Sequence, residues 1–305
     1  MSMRNIPSET RNDSLLSFII PCYNSESTIR QCLNSIIHQH ITIPYDVIVV
    51  DSSTDRTPEI VQKEFPSVRL IHFEKQTFPG AARNVGVRST QAPFCWMLDS
   101  DCVASVNALE RMAARLQEGT YSAVAGSLRN GTPRSLSGWL SYLIEFKEFM
   151  PTLPLRLDWK MATANIGYPT ETLKRYGYYD EDLRMSEDML FHWKMASGGE
   201  QILFDPAIEV THLNRTGWKK VLLYQLDLGR YAAMARKSGN MPGQVLLCHP
   251  TLILLMPFVR TWNAARWFAA HDLKTLGIFL FLWPMYMLAA SFWTFGFYRQ
   301  AIKEK

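Results

Sequence analysis

Phe94-Cys95-Trp96-Met97-Leu98-Asp99-Ser100-Asp101 is a short apolar run closed by two carboxylates one residue apart. Apolar runs of this length suit a strand covered on both faces, and open α/β sheets bind their ligands at the C-terminal edges of such strands. Two carboxylates held there repel each other unless a cation lies between them. Hard divalent ions such as Mg2+ or Mn2+ prefer oxygen ligands of this kind. The run therefore points to a strand ending in a metal and diphosphate site, although Asp-x-Asp alone also occurs in solvated turns and helix caps.

The flanking sequence supports a sheet. Residues 15–21 and 45–51 are apolar, β-branched runs, and residues 25–40 between them carry Ile29, Leu33, Ile36 and Ile37 at helical spacing, which makes a β-α-β unit. The alternation continues with a helix from about Thr57 capped by Asp55 or Thr54, a strand at 68–73 and a helix at 80–89. The 94–99 strand, a helix at 106–117 and a strand at 121–127 follow. This order implies an α/β fold with a Rossmann-like, mostly parallel sheet covered by helices on both faces. An aromatic-rich stretch, 139–149, ended by Pro151 and Pro154, opens a second subregion. After it come a strand at 162–167, helices at 170–176 and 186–196, and short strands at 201–204 and 208–212.

The final third has a different character. Residues 218–237 read as an amphipathic helix, with Leu222, Leu226, Tyr231 and Met234 opposed by Lys219, Lys220, Arg230, Arg236 and Lys237; such a helix packs on a sheet or lies on a membrane. Residues 245–259 are apolar but interrupted by His249, Pro250 and Pro257, which favours a re-entrant or in-plane segment. Residues 275–298 hold no charge, and at ~1.5 Å per residue they are long enough for a hydrocarbon core of ~30 Å. One membrane span is expected there, with Trp283, Trp293, Tyr298, Arg299, Lys303 and Lys305 as interfacial anchors. The alternative is a buried helix pair capping the domain. The organisation read from the sequence is thus a polar tail at 1–14, an α/β half at 15–127, a second half at 128–215, and an amphipathic helix with membrane-associated helices at 216–305.

Composition narrows the function classes. A net charge of +4 over 305 residues lacks the concentrated basic footprint of a nucleic-acid binder, so nucleic acid is not an expected partner. The five cysteines, Cys22, Cys32, Cys95, Cys102 and Cys248, lack metal-type spacing and mostly lie in or beside apolar segments, as reduced cytosolic thiols do. The polar first 14 residues hold no secretory signal, which puts the catalytic part in the cytoplasm and makes the Asn-x-Ser/Thr matches at Asn12, Asn130 and Asn214 accidental.

The strand ends, read together, are Pro21-Cys22-Tyr23-Asn24, Asp51-Ser52-Ser53-Thr54-Asp55 and Asp99-Ser100-Asp101. With Gly80-Ala81-Ala82-Arg83-Asn84 and Glu187-Asp188, these five motifs in this order resemble a family 2 glycosyltransferase with the A-type nucleotide-sugar fold, over about residues 15–215. The resemblance implies an enzyme that moves a sugar from a nucleotide-sugar donor to a hydroxyl acceptor, using Mg2+ or Mn2+. It implies donor contacts from Pro21, Tyr23, Asn24, Asp51, Arg83, Asp99 and Ser100, with Asp51 accepting from the nucleobase. It also implies metal ligation by Asp99, Asp101 and His212, acceptor contacts from Asn165 and Glu187, and Asp188 as the base in an inverting transfer.

Each role has a plainer counterpart: a turn or helix cap for Asp51, a structural ion pair for Arg83, a hydrogen-bonded structural residue for His212, a cap for Glu187 and a turn role for Asn165. Ser52-Ser53 stands where the family more often has a second acid and a glycine. No Gln-x-x-Arg-Trp motif follows the acidic pair, so a single transfer is expected rather than polymerisation. A hydrophobic C-terminal third implies a cell-membrane enzyme with a lipid-linked or glycan-precursor acceptor. Competing readings are a nucleotidyltransferase, which calls for a Gly-rich loop that Cys22-Tyr23-Asn24-Ser25 does not supply, and a membrane scaffold that has kept the fold without activity.

Overall fold

The computed structural model describes residues 4–5, 13–39 and 43–303. Most of the 1–14 tail, the sequon at Asn12, His40 at the end of the first expected helix and Lys305 lie outside the described residues. The strands are β1 (Arg4–Asn5), β2 (Leu16–Cys22), β3 (Tyr45–Asp51), β4 (Arg69–His72), β5 (Phe94–Leu98), β6 (Cys102–Ala104), β7 (Ala123–Asn130), β8 (Arg156–Leu157), β9 (Asn165–Pro169) and β10 (Ile202–His212). The helices are α1 (Ile29–Ile37), α2 (Thr57–Glu64), α3 (Pro79–Arg88), α4 (Ala108–Gln117), α5 (Leu136–Glu145), α6 (Thr170–Arg175) and α7 (Glu187–Ser197). They continue with α8 (Trp218–Gly239), α9 (Val245–Cys248), α10 (Pro250–Ile253), α11 (Met256–His271) and α12 (Leu273–Lys303).

These elements form two compact units, residues 1–129 with 154–213, and residues 130–153 with 214–305. The aromatic stretch 139–149, read from the sequence as part of the 128–215 half, therefore falls in the helical unit. The first unit is built on one sheet in the order β1-β4-β3-β2-β5-β9-β7-β10-β6, with β8 on β10. Strands β4, β3, β2 and β5 are mutually parallel. Their burial follows from their composition: Phe18, Ile19, Ile20, Ile48, Val49, Trp96, Met97 and Leu98 are all fully buried, as strands covered on both faces require. Phe18 and Trp96 stack at 4.8 Å across the β2–β5 pair. Helix α1 buries Ile29, Cys32, Leu33 and Ile36, one stripe at helical spacing.

Beyond β5 the sheet turns antiparallel. β9 pairs with both β5 and β7, and β10 with β6 and β8. The two short strands expected at 201–204 and 208–212 are one strand of 11 residues, carried across Pro206 by an Asp205 carboxylate that accepts from the N–H of Ala207. Gly126 on β7 permits this packing: a Cβ there would lie 2.1 Å from the Ile208 carbonyl oxygen and 2.3 Å from Asn165 Nδ2.

The second unit is helical. Helices α8 and α12 touch backbone to backbone, because a Cβ at Gly229 would lie 1.9 Å from Trp293 O and one at Gly296 would lie 1.9 Å from Leu226 O. The 245–259 segment is broken at its prolines into α9, α10 and the start of α11. Helix α12 is the one described helix long and apolar enough to cross a membrane, and Pro284 lies inside it.

Candidate active site

The parallel register brings the loop-bearing ends of β2, β3 and β4 to one level, since Cys22 lies opposite Asp51, and Asp51 opposite His72. The loops beyond are laced together. Asn24 adopts φ +54°, a left-handed conformation that asparagine tolerates better than most residues; its N–H donates to Ser53 Oγ at 2.7 Å and its Oδ1 accepts from Thr54 N at 2.9 Å. The hydroxyls of Ser25 and Ser100 lie 2.7 Å apart and tie the β2 loop to the carboxylate loop after β5. Pro21 is half-buried on this rim and Tyr23 is exposed.

Asp51 does not stand open to a ligand. It is fully buried, and its carboxylate accepts from Ser53 N at 3.1 Å, Ser53 Oγ at 2.5 Å and His72 Nδ1 at 2.6 Å. His72, its side chain 30% exposed, is the more accessible partner of the pair. The carboxylate expected to meet a nucleobase is thus enclosed by Ser53 and His72.

Arg83 is a second such case. It is 3% exposed, with Nη1 on Glu187 Oε1 at 2.6 Å and Nη2 on Asp99 Oδ1 at 2.7 Å. A guanidinium forked between two carboxylates positions both, and its Nε is buried with no hydrogen-bond partner. Glu187 is likewise buried and turned to Arg83 rather than outward. Burial raises its carboxyl up to about 7, with Asp188 pushing the same way and the Arg83 charge opposing them.

Asp101 owes its partner to β6, which starts immediately after it. Antiparallel pairing of β6 with β10 puts His212 opposite Cys102, and Leu213 N donates to Asp101 O at 2.8 Å. His212 Nε2 then lies 3.4 Å from Asp101 Oδ1. Asp101, Cys102 and His212 bring potential ligand atoms within 4.8 Å of one another. Cys102 is fully buried, and a hard divalent ion favours carboxylate and imidazole over a soft thiol, so Asp101 and His212 fit such an ion and Cys102 does not.

Asp188 occupies the first turn of α7, behind Ser186, which takes φ +66°. Its Oδ1 accepts from Met189 N at 2.7 Å. Burial, set against the neighbouring Arg83 charge, leaves its carboxyl above the ordinary range and hence a stronger proton acceptor. The ground under α7 is polar and fully buried: Tyr179 Oη donates to Tyr168 Oη at 3.0 Å, and Tyr168 Oη lies 2.5 Å from His192 Nε2. Burial lowers His192 to about 3, so the ring is neutral. Asn84 donates to Tyr179 O and Glu181 Oε1 and accepts from Tyr179 N, clamping the segment that leads to α7. Gly80 lets α3 approach it, since a Cβ there would lie 2.8 Å from Asp180 O and 3.1 Å from Glu187 Cγ.

Asn165 does not join the cluster. It is 1% exposed, accepts from Trp96 Nε1 at 3.1 Å and donates to Ser127 O at 3.0 Å and Ile208 O at 2.9 Å. Its amide ties β5, β7 and β10 together, with both of its N–H groups engaged. The sheet unit thus gathers Asp99, Asp101, Glu187, Asp188, Arg83 and His212, and adds four residues that sequence reasoning passed over: Ser53, His72, Tyr179 and the clamp role of Asn84. The parallel register was the available signal for His72, because it ends the strand next to Asp51.

Residues 17–181 match the family described as Glycosyl transferase family 2. The chain is 31% identical over 191 residues to the poly(ribitol-phosphate) beta-N-acetylglucosaminyltransferase TarS of Staphylococcus aureus, covering 58% of this chain and 32% of TarS. It is 28% identical over 222 residues to the succinoglycan biosynthesis protein ExoO of Rhizobium meliloti, covering 68% and 63%. It therefore spans about a third of TarS and just under two thirds of ExoO. Among solved structures, the mannosyltransferase PcManGT from Pyrobaculum calidifontis, in complex with GDP-Man and Mn2+, superposes with a TM-score of 0.64 at 19% identity, covering 99% of this chain and 90% of that one. Residues 1–349 of S. aureus TarS with UDP-GlcNAc give 0.53 at 20% identity, covering 95% and 91%. At these identities the structural likeness carries the fold alone.

Proposed function

The chain belongs to glycosyl transferase family 2, and from that premise we propose that it transfers a single sugar, with inversion, from a nucleoside-diphosphate donor to a hydroxyl acceptor. The observation that carries this reading is the 3.4 Å approach of His212 Nε2 to Asp101 Oδ1 at the rim, beside an Asp99 already held by Arg83. Asp101 and His212, with Asp99 adjacent, are the residues to hold Mg2+ or Mn2+, and Mn2+ accompanies the donor in PcManGT. When bound, the ion supplies positive charge to the departing diphosphate.

The chain's own residues account for the rest. Pro21, Tyr23, Asn24 and Ser100 line the laced loops where the nucleoside sits, with His72 and Ser53 extending the reach of Asp51. Arg83 holds Asp99 and Glu187 so that neither carboxylate swings away. Asp188, with its raised carboxyl, accepts the proton of the acceptor hydroxyl as the new C–O bond forms at the anomeric carbon. The bond from that carbon to the phosphate oxygen breaks on the opposite face, and its electron pair leaves with the nucleoside diphosphate. We further read the protein as membrane-associated with its catalytic unit in the cytoplasm, and its acceptor as lipid-linked or a glycan precursor. Buried free Cys22, Cys32, Cys95 and Cys102 and the apolar α12 support this.

The test is a hydrolysis and transfer screen of detergent-solubilised protein against UDP- and GDP-sugars with Mn2+. Release of one nucleoside diphosphate, accelerated by a glycan or polyprenyl-phosphate acceptor, is the expected result. Pyrophosphate release from a nucleoside triphosphate and sugar phosphate would replace this reading with a nucleotidyltransferase, and no turnover of any donor would leave a scaffold.

A further inference from the structure

The helical unit resolves a question that hydropathy leaves open. Helices α11 and α12 run antiparallel, because Thr261 Oγ1 lies 3.6 Å from Met287 Sδ while the rings of Phe268 and Phe279 pack at 5.3 Å. Arg266, exposed and two residues before Phe268, therefore lies level with about Phe281 and Leu282, well inside the charge-free stretch of α12. Arg260 sits over the Trp293 ring at 4.3 Å, and the backbone nitrogen of Arg230 would lie 3.1 Å from a Cβ at Gly296. The backbone of Arg230 thus passes close to the end of the apolar stretch, and the side chains of Arg260 and Arg266 lie alongside it rather than beyond its ends. Were α12 to cross a bilayer, they would be drawn into hydrocarbon, where arginine is costly and rare.

The same unit leaves large apolar side chains in the open. Phe258 and Trp262 are each 64% exposed and Phe281 is 70% exposed, with Trp283, Leu254 and Leu255 also exposed. Phe258, Trp262 and Arg266 recur every four residues, so one stripe of α11 carries two aromatics and ends in a cation. The charge balance is equally one-sided: residues 214–305 hold 12 Lys/Arg against 3 Asp/Glu, a net charge of +9 within a chain whose total is +4. An aromatic face with a cationic surround complements an anionic phospholipid leaflet.

We propose that the α10–α12 face lies in the plane of one anionic leaflet and that α12 does not cross the membrane. Phe258, Trp262 and Phe281 enter the boundary between headgroups and acyl chains, while Arg266 and Lys274 meet lipid phosphates. This inference deepens the membrane association proposed above and rests on it.

Two variants of the full chain, Leu273→Cys and Ile302→Cys, each in a Cys248→Ser background whose remaining native thiols are all buried, are expressed in bacteria, and spheroplasts are treated with a membrane-impermeant maleimide. Both sites are expected to stay unlabelled until the cells are lysed, and one site labelling from outside while the other does not would establish a crossing helix and overturn the proposal. Flotation with phosphatidylcholine vesicles, with and without phosphatidylglycerol, reads the headgroup role. Binding should need phosphatidylglycerol and should fall by about tenfold in Arg266→Glu, and in a Phe258→Ser, Trp262→Ser double variant. Equal binding to neutral vesicles would refute the anionic-leaflet claim, and no binding to vesicles or cell membranes would remove membrane association itself.

Discussion

Replacing Arg83 with methionine should destabilise the protein chiefly through Glu187. Both partners of that ion pair are almost inaccessible, Arg83 at 3% and Glu187 at 5%, and they meet at 2.6 Å. At pH 8, where the Glu187 carboxyl is ionised in the intact protein, removing its partner leaves an uncompensated buried charge or a carboxyl forced to take up a proton, a cost of at most about 3–5 kcal/mol. The other arm of the fork contributes less, because the Asp99 side chain is 32% exposed and water screens it, which puts that arm within about 0–1 kcal/mol. For a domain of this size the sum lowers the melting temperature by about 6–24 °C. Adding Glu187→Gln to Arg83→Met removes the stranded carboxylate and should restore much of the loss, whereas adding Asp99→Asn should not. Melts followed by circular dichroism on the two singles and the two doubles supply the comparison. If Arg83→Met melts within about 2 °C of wild type, or if the Glu187 double is simply additive, the bridge is not what holds this corner.

Asp188→Asn should cut transfer by about 10² to 10⁴-fold with donor binding nearly intact, and equal loss of both would take Asp188 out of the base role. Glu187 gives a pH signature: its folded carboxyl, raised from 4.5 to about 7, holds a proton that the unfolded chain has released. Its contribution to stability is therefore full below pH 4.5 and disappears as the pH rises through 7. Melting curves across that window should fall less steeply in Glu187→Gln than in wild type, and parallel curves would contradict the assignment. Asn165→Ala strands partners in three strands and should cost about 1–3 kcal/mol or more in chemical denaturation while leaving the acceptor KM unchanged. A selective rise in KM would return Asn165 to the acceptor site.

The sheet was legible because its strands are buried on both faces: β3 matches the expected residues throughout, and β2, β5 and α3 shift by a residue or so at their ends. The short strands β6 and β8 carry too few residues to show a period, yet β6 is what brings His212 to Asp101. Motif order marked Arg83 and Asn165 as site positions, but side-chain direction is decided by tertiary neighbours. Antiparallel pairing of β9 with β5 turns Asn165 inward, and Asp99 and Glu187 close around Arg83 from elements far apart in sequence. Hydropathy likewise marked the apolar stretch at 275–298 within the longer α12, but not the arginines beside it, which only the pairing with α11 reveals.

The central claim is that Asp101 and His212 hold a divalent ion against the donor's diphosphate. Crystals grown with Mn2+ and a nucleoside diphosphate, measured at the manganese absorption edge, test it most directly. An anomalous peak within coordination distance of both side chains and of the diphosphate is the predicted result. A bound nucleotide with no peak there, in protein whose turnover survives EDTA, would contradict it.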